Sequence, residues 1–315
     1  MPKVSVITPM YNAERFIGAT IESVRAQTLQ DWEHIIVDDG STDNSVEVVK
    51  RYLPLEPRLR LVQQENKGVS AARNHGYFEA SASSDYLVFF DADDVMEPEM
   101  LQTLSAYLDI YPDVGMVYCS AGGIDENGQK IASNLSKSRW PPRYVPSRLG
   151  VRKLHDEDPE TPITSVFGLV PILPSLMMIR RCVYAKTSGF DESLVQFEDA
   201  DLCVQIALQA RIHCIQEPLV RYRIHEGSAS SPRYRERYEF YKQKFFAKWR
   251  QNIELMPNQA QMLQKAFWFR ETRLEPYFGL RAGWRHLKKG QLGLAARFWG
   301  GAVKRYVKGL MFPPK

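Results

Sequence analysis

Cysteine is scarce in this 315-residue chain: there are four, widely spaced, with no Cys-x-x-Cys pair. Such spacing argues against a disulfide framework or a zinc site and suits a reducing compartment. No stretch approaches the ~20 consecutive apolar residues of a membrane-spanning helix, and the chain opens on a strand-like run instead of a signal peptide. Internal repeats are also missing. We therefore expect a globular cytoplasmic protein, with a peripheral position on the cytoplasmic face of the membrane as the alternative.

The basic charge is concentrated at one end of the chain. Residues 1–232 contain 22 Lys and Arg against 32 Asp and Glu, whereas residues 233–315 contain 19 against five, so the net charge of +4 combines −10 with +14. A basic segment of this kind can meet an anionic membrane, an anionic polymer or an acidic partner. Trp299 and leucines at helical spacing favour the membrane interface. A helix packed on the body is the alternative, and nucleic-acid binding is not expected.

Strand-like and helix-like patterns alternate over residues 1–120, which predicts an α/β fold. Short apolar runs, typical of buried strands, occur at 4–8, 34–37, 59–63, 86–90 and 114–119. Strands that alternate with helices form mostly parallel sheets, and these bind ligands at the carboxyl ends of their strands. A Pro-rich stretch over 121–170, with a hairpin turn at Asn127-Gly128, predicts an irregular binding loop or lid.

Carboxylates follow two of these predicted strands at the point where each ends. Asp91, Asp93 and Asp94 come directly after the fourth strand, and Asp38 and Asp39 follow the second. Clustered carboxylates repel one another unless a cation lies among them, and hard oxygen ligands suit Mg²⁺ or Mn²⁺. A solvated Asp-rich turn is the alternative. The second acidic strand end nearby favours the metal site.

Five sequence blocks resemble those of the inverting family 2 glycosyltransferases, which have the GT-A fold. They occur in the family's order between residues 3 and 225, and the last quarter of the chain lies outside them. The blocks are VSVITPMYN at 4–12, VDDGSTD at 37–43, NKGVSAARN at 66–74, FDADD at 90–94 and FEDADL at 197–202. The resemblance implies a GT-A domain over 1–232, with a nucleotide-binding half (1–120) and an acceptor half (121–232). A basic helical extension over 233–315 would follow it.

The resemblance also implies which residues bind a nucleotide-diphosphate donor, with UDP as the expected nucleotide. Asp39 would accept a hydrogen bond from the base, Asp91 would lie at the ribose, and Arg73 would supply charge to the phosphates or the base. The predicted donor set is Thr8, Pro9, Tyr11, Glu14, Asp39, Lys67, Arg73, Asp91 and Ala92. Taken singly, several of these could equally be structural: Thr8-Pro9 as a strand end and Glu14 as a solvated helix turn.

Asp93 would hold Mn²⁺ or Mg²⁺ against the diphosphate, where the cation acts as a Lewis acid. His225, in the segment RYRIHEGS at 221–228, resembles a family histidine that could ligate the metal or donate to a phosphate. A lone histidine often does neither, and that alternative stays open.

Asp199 is the predicted general base that deprotonates the acceptor hydroxyl. Glu198 and Asp201 are its competitors, and simple capping of the following helix is the alternative. A further set has acceptor-side or supporting roles: Asp94, Arg223, Met178 and Trp140. Met178 could equally lie in the core.

The implied activity is an inverting, metal-dependent hexosyl transfer from a UDP-sugar to a hydroxyl of a glycan or lipid-linked acceptor, in cell-surface polysaccharide synthesis. A sugar-1-phosphate nucleotidyltransferase is the first rival, but it would need a Gly-rich, basic first loop where this chain has MYNAE at 10–14. A non-catalytic nucleotide- or glycan-binding module is the second. The presence of both Asp93 and Asp199 argues against that module.

Overall fold

The structure is a computed structural model that describes residues 1–135, 143–147, 150–155, 157–170, 172–227 and 235–311. It divides into two compact units: Met1–Trp140 with Pro171–Phe245, and Pro141–Val170 with Phe246–Lys315. Much of the Pro-rich stretch thus belongs to the same unit as the C-terminal helices. The predicted boundary near residue 232, and the two halves proposed within the first domain, stay predictions.

Eleven strands occur within the described residues. They are β1 (Val4–Met10), β2 (Trp32–Asp38), β3 (Leu59–Gln63), β4 (Tyr86–Phe89), β5 (Val95–Met96), β6 (Val114–Ile124), β7 (Lys130–Ala132), β8 (Tyr144–Ser147), β9 (Gly150–Lys153), β10 (Met177–Arg180) and β11 (Arg211–Arg223). The five predicted strands of residues 1–120 are confirmed as β1 to β4 and β6. The predicted hairpin turn is also confirmed, because β6 and β7 pair antiparallel around Asn127-Gly128.

The helices in the same part of the chain are α1 (Ile17–Arg25), α2 (Ser45–Tyr52), α3 (Val69–Glu79), α4 (Met100–Ile110), α5 (Ile163–Phe167), α6 (Arg181–Tyr184), α7 (Glu198–Ala207), α8 (Arg235–Leu255), α9 (Pro257–Phe269), α10 (Glu275–Lys288) and α11 (Leu292–Met311). A 3₁₀ turn, Pro174–Leu176, precedes β10, and a π-helical turn, Arg270–Leu274, joins α9 to α10.

The first unit is built on a mixed sheet with the strand order β3-β2-β1-β4-β10-β6-β11-β5. The strands from β3 to β4 are parallel, as predicted, and β6 and β11 are parallel to each other. β10 runs antiparallel to both of its neighbours, β4 and β6. The sheet is therefore mixed, but the strands β1, β2, β3, β4, β6 and β11 all run in one direction, as predicted. A short apolar run has the same periodicity in either direction, so the sequence pattern carried no information on the direction of β10.

The parallel part of the sheet gathers three strand ends at one edge. Met10 at the end of β1 lies opposite Asp38 at the end of β2, and the Asp39 N–H donates to the carbonyl of Met10 (2.8 Å). β4 ends beside β1, with Phe89 opposite Ile7. β1 and β4 are completely buried, which anchors the loops that follow them. The residues after β1, β2 and β4 thus come together at one place.

The second unit contains a β8–β9 hairpin and a short helix, α5, where the sequence predicted an irregular loop. Tyr144 of β8 packs with Phe269 and Leu274 in a small core. The buried guanidinium of Arg270 donates to the carbonyl of Phe167 (2.7 Å), so one cation ties the π-helical turn to α5.

Helices α10 and α11 pack closely through small residues. A Cβ on Gly283 would lie 2.2 Å from Nε1 of Trp299, so only glycine allows this approach. Ala295 and Ala302 of α11 are buried, as expected for the side of a helix that faces its partner. Among the described residues, none of the helices is both long enough and apolar enough to cross a bilayer.

Candidate functional site

Asp39 organises the loop between β3 and α3. Its carboxylate accepts hydrogen bonds from the backbone N–H groups of Lys67 (2.8 Å) and Gly68 (2.9 Å) and from the Gln64 amide (2.7 Å). Gly68 has a φ of +93°, a conformation that favours glycine. Asp39 is buried, so the structure shows it shaping the loop. Its predicted contact with a base remains a prediction that would use the remaining lone pairs.

Thr8 and Pro9 lie inside β1 and are buried, so they are part of the strand and not a turn after it. The Thr8 hydroxyl is hydrogen-bonded to Nε2 of His34 (2.8 Å). Burial lowers the pKa of His34 to about 3, so this imidazole stays neutral at physiological pH. The pair is thus a buried, uncharged hydrogen bond between β1 and β2.

The remaining residues predicted to bind the nucleotide-sugar donor lie near the ends of β1, β2 and β4, and they differ in how exposed they are. Tyr11 and Lys67 are exposed and free to meet a ligand. Glu14 is also exposed, and its carboxylate accepts from the backbone and side-chain N–H groups of Asn44 (3.0 Å each), which secures the start of α2. Ala92 is buried, and its carbonyl accepts a hydrogen bond from α1.

Asp93 and His225 form the candidate cation site. Their Oδ2 and Nε2 atoms are 3.0 Å apart, and both side chains are partly exposed. This is the distance of a direct hydrogen bond, and it also matches the ~3.0 Å between two neighbouring ligands of an octahedral Mg²⁺ at ~2.1 Å each. No group of three or more His, Cys, Asp or Glu side chains in the described ranges could hold one. The protein would therefore supply two ligands, and phosphate oxygens and water the others, as is usual for Mg²⁺.

Arg223 fixes the loop that carries these acids. Its backbone N–H donates to the carboxylate of Asp94 (2.9 Å), and its guanidinium donates to the carbonyls of Asp93 (2.8 Å) and Asp125 (3.0 Å). Arg223 thus has a supporting role. Burial, with Asp93 and another nearby acid, raises the pKa of Asp94 well above its usual range. Ser175, which the sequence analysis missed, opposes this by a hydrogen bond to the same carboxyl.

Arg73 lies between two carboxylates. Its Nη2 donates to Oδ1 of Asp91 (2.7 Å), and its Nη1 donates to Oε1 of Glu198 (3.0 Å). The guanidinium lies over the Phe190 ring, 5.1 Å from the centroid, and only 3% of the residue is exposed. The charge of Arg73 is therefore balanced by protein carboxylates, and its predicted contact with the phosphates or the base stays a prediction. Arg73 joins the end of β4 to the start of α7.

Asp199 is the residue predicted to act as the general base, and that role stays a prediction here. It is partly exposed in the first turn of α7, and its carboxylate accepts from the backbone N–H of Ala200 (2.6 Å). Burial raises the pKa of Asp199 to about 7, and the carboxylates of Glu198 and Asp91 act in the same direction. A carboxylate with a pKa near neutrality can exchange protons efficiently at physiological pH.

The other residues predicted as competing bases or as acceptor-side groups differ in their positions. Asp201 is fully buried, and its carboxylate accepts a hydrogen bond from the Gln205 amide (2.8 Å). This bond joins two side chains of α7. Met178 is fully buried on β10, opposite Val117. It therefore lies in the core, which was the alternative to an acceptor-side role. Trp140 falls outside the described residues.

Comparison with known sequences shows that residues 5–165 match the profile of Glycosyl transferase family 2. An Escherichia coli K12 protein, the uncharacterized glycosyltransferase YibD, is 43% identical over 119 residues, which cover 38% of this chain and 34% of YibD. The putative glycosyltransferase EpsH of Bacillus subtilis is 33% identical over 142 residues, 44% of this chain and 39% of EpsH. The chain thus matches little more than a third of the length of these relatives.

Solved structures resemble the chain over nearly its whole length. TarS 1–349 of S. aureus, in a crystal structure with UDP, has a TM-score of 0.56 and 17% identity, covering 96% of this chain and 91% of that 1–349 chain. The mannosyltransferase PcManGT of Pyrobaculum calidifontis, in complex with GDP-Man and Mn²⁺, has a TM-score of 0.57 and 20% identity, covering 99% and 81%. These similarities confirm the predicted GT-A-type fold class.

Proposed function

The chain belongs to glycosyl transferase family 2, and on that premise we propose that it transfers a sugar, with inversion, from a UDP-sugar to a hydroxyl of a glycan or lipid-linked acceptor. Cell-surface polysaccharide synthesis is the proposed setting. One observation supports this above the others: Asp199, a partly exposed carboxyl with a pKa near 7, follows Glu198, which Arg73 joins to Asp91 at the acidic end of β4. Donor-binding and proton-accepting groups thus share one site.

On the donor side, a loop and a pair of side chains would have separate roles. The loop held by the buried Asp39 presents backbone groups and the exposed Lys67 at the edge of the sheet, where a base and a diphosphate could lie. Asp93 and His225 would hold the divalent cation. When bound, Mn²⁺ or Mg²⁺ would supply Lewis-acid neutralisation of the leaving diphosphate.

On the acceptor side, Asp199 would take the hydroxyl proton while the acceptor oxygen forms its bond to the anomeric carbon. The bond from that carbon to the diphosphate oxygen breaks, and its electron pair leaves with the nucleoside diphosphate. Glu198 and Asp201 are weaker candidates because Glu198 is paired with Arg73 and Asp201 is buried.

The proposal is tested by incubating the protein with a panel of UDP- and GDP-sugars, with and without Mn²⁺, and assaying release of nucleoside diphosphate. We expect metal-dependent release with UDP-sugars. Release of pyrophosphate from a nucleoside triphosphate and a sugar 1-phosphate would favour the nucleotidyltransferase. Binding of a nucleotide sugar without turnover under any condition would favour the non-catalytic module.

We also propose that α11 binds anionic membranes. One side of the helix exposes an apolar strip: Leu292, Val303, Val307 and Met311. At 100° per residue these positions lie within about a third of the helix circumference. Exposed basic side chains flank the strip: Arg297, Lys304 and Lys308. Apolar and basic surfaces side by side are typical of helices that lie in a membrane interface.

Replacing Arg297, Lys304 and Lys308 by Gln should lower binding to anionic vesicles. Each surface-proximal basic residue contributes about 1 kcal/mol near anionic lipid, so the triple variant should lose roughly 10²-fold in affinity. Sedimentation with phosphatidylglycerol-containing vesicles at low salt measures this. A variant with Arg51, Lys130 and Lys186 changed to Gln has the same charge loss at exposed positions elsewhere and should bind like the parent. Equal loss in both variants, or equal binding to neutral vesicles, would leave the packed-helix alternative.

A further inference from the structure

Two neighbouring residues of α3 hold the chain segment that leads to Asp199. Asn74 donates to the carbonyl of Phe190 (2.9 Å) and to Glu192 (3.1 Å), and its own amide oxygen accepts from the Phe190 N–H (2.9 Å). One residue earlier, Arg73 pairs with Glu198 at the start of α7. The segment 189–198 is thus attached to α3 at both of its ends.

The same guanidinium contacts the opposite side of the site. Arg73 Nη2 is 2.7 Å from Asp91, the first acid after β4, and the Asp91 backbone N–H donates to Ser175 (3.0 Å). Arg73 is buried, and Glu198 is only 13% exposed as a side chain, so neither charge can be screened well by water. Removing one member of such a set leaves its partners unpaired.

We propose that Arg73 is a positioning residue, which through Glu198 holds Asp199 in place against the donor side of the site at Asp91. The inference rests on the proposed function, because it assigns Asp199 the proton-accepting role. It gives Arg73 a different task from the direct phosphate or base contact that the sequence blocks imply. A planar guanidinium suits this task because its fixed fork can bind two carboxylates at once, which the single ammonium of a lysine does less well.

The charges that face Asp199 make the inference measurable. They are Glu198 beside it, Arg73 from α3, Asp91 from the end of β4, and the thiol of Cys203 one turn along α7. Arg73 lowers the pKa of Asp199, whereas Glu198 raises it. Arg73→Met should therefore move the titration of Asp199 to higher pH, and Glu198→Gln should move it to lower pH. A neighbouring charge shifts such a titration by about one pH unit or more.

The experiment follows the carboxyl ¹³C signals of aspartate-labelled protein with pH, using Asp199→Asn to assign Asp199, and in parallel the pH profile of transfer. We expect shifts of opposite sign for Arg73→Met and Glu198→Gln, and a titration near the parental one in the double variant. Arg73→Lys keeps the charge, so it should leave the titration in place but lower transfer about tenfold with a donor KM near the parental value.

The outcomes separate the inference from the proposed function. If Arg73→Met and Glu198→Gln move the titration in the same direction, or neither moves it, the positioning role is wrong even when the parent is active. If the parent transfers no sugar but the two shifts are opposite, the inferred role of Arg73 is supported and the proposed activity is wrong. Glu198→Gln keeps the test decisive if the buried Arg73 variants do not fold, because Glu198 is partly exposed and glutamine preserves its shape.

Discussion

Asp199→Asn should lower transfer at least ~10²-fold and leave donor binding unchanged, because an amide keeps the shape of the carboxylate but cannot accept a proton near neutral pH. The parent should lose activity tenfold for each pH unit below about 7, where the raised pKa of Asp199 keeps the carboxyl protonated, and reach a plateau above it. The pH profile of the variant should lack this loss of activity at acidic pH. Initial rates from pH 5 to 9, with donor affinity from titration calorimetry, measure both effects.

Asp201→Asn is the matched control. It makes the same chemical change two residues further along α7, at a buried side chain whose partner, Gln205, can still donate to the new amide oxygen. We expect near-parental transfer from this variant. If Asp199→Asn remained near the parental rate, the base would have to be Glu198 or Asp201, and each would be tested in turn.

Asp93→Ala should abolish the enhancement of donor binding by Mn²⁺. The change removes the only carboxylate of the Asp93–His225 pair, and an imidazole with phosphate oxygens alone would hold a hard cation poorly. Titration of UDP-sugars with and without Mn²⁺ measures the enhancement, and a thermal melt checks that the variant is folded. Transfer should fall with it, because the diphosphate would leave without its counter-charge.

Asp113→Ala provides the control for an aspartate lost elsewhere. Asp113 is an exposed residue just before β6, where its carboxylate pairs with Arg211 (2.7 Å). The metal enhancement should be unchanged in this variant. Equal, metal-enhanced affinity in Asp93→Ala and the parent would falsify the metal role of Asp93. His225→Ala should show a partial loss, since the carboxylate remains.

The parallel half of the fold could be predicted because its strands are short apolar runs that end in polar residues. The acids after β2 and β4 were expected on neighbouring strands, but β1 lies between those two strands. The direction of β10 could not be predicted, and Ser175 was missed for the same reason. Ser175 meets Asp91 and Asp94 only because β10 is inserted beside β4, which no local pattern records.

Charged residues were harder to assign than strands. Arg73 and Lys67 stand in one sequence block, yet Lys67 is exposed and Arg73 is buried between Asp91 and Glu198. The partners of Arg73 come from 18 and 125 residues further along the chain, so its role depends on tertiary contacts. A motif identifies which residues meet a site, but it does not distinguish a side chain that touches the ligand from one that supports its neighbours.

The contacts of Asp93 and Asp94 have a consequence for biosynthesis. These residues find their partners Arg223 and His225 129 to 132 residues later in the chain. At ~5–20 residues per second, the ribosome adds Arg223 and His225 roughly 7 to 26 s after it adds Asp93 and Asp94. During that interval Asp93 and Asp94 lack the Arg223 backbone and guanidinium groups and the His225 imidazole that contact them in the folded protein. The nascent chain therefore completes these contacts only after β11 has emerged, however early β1 to β4 have paired.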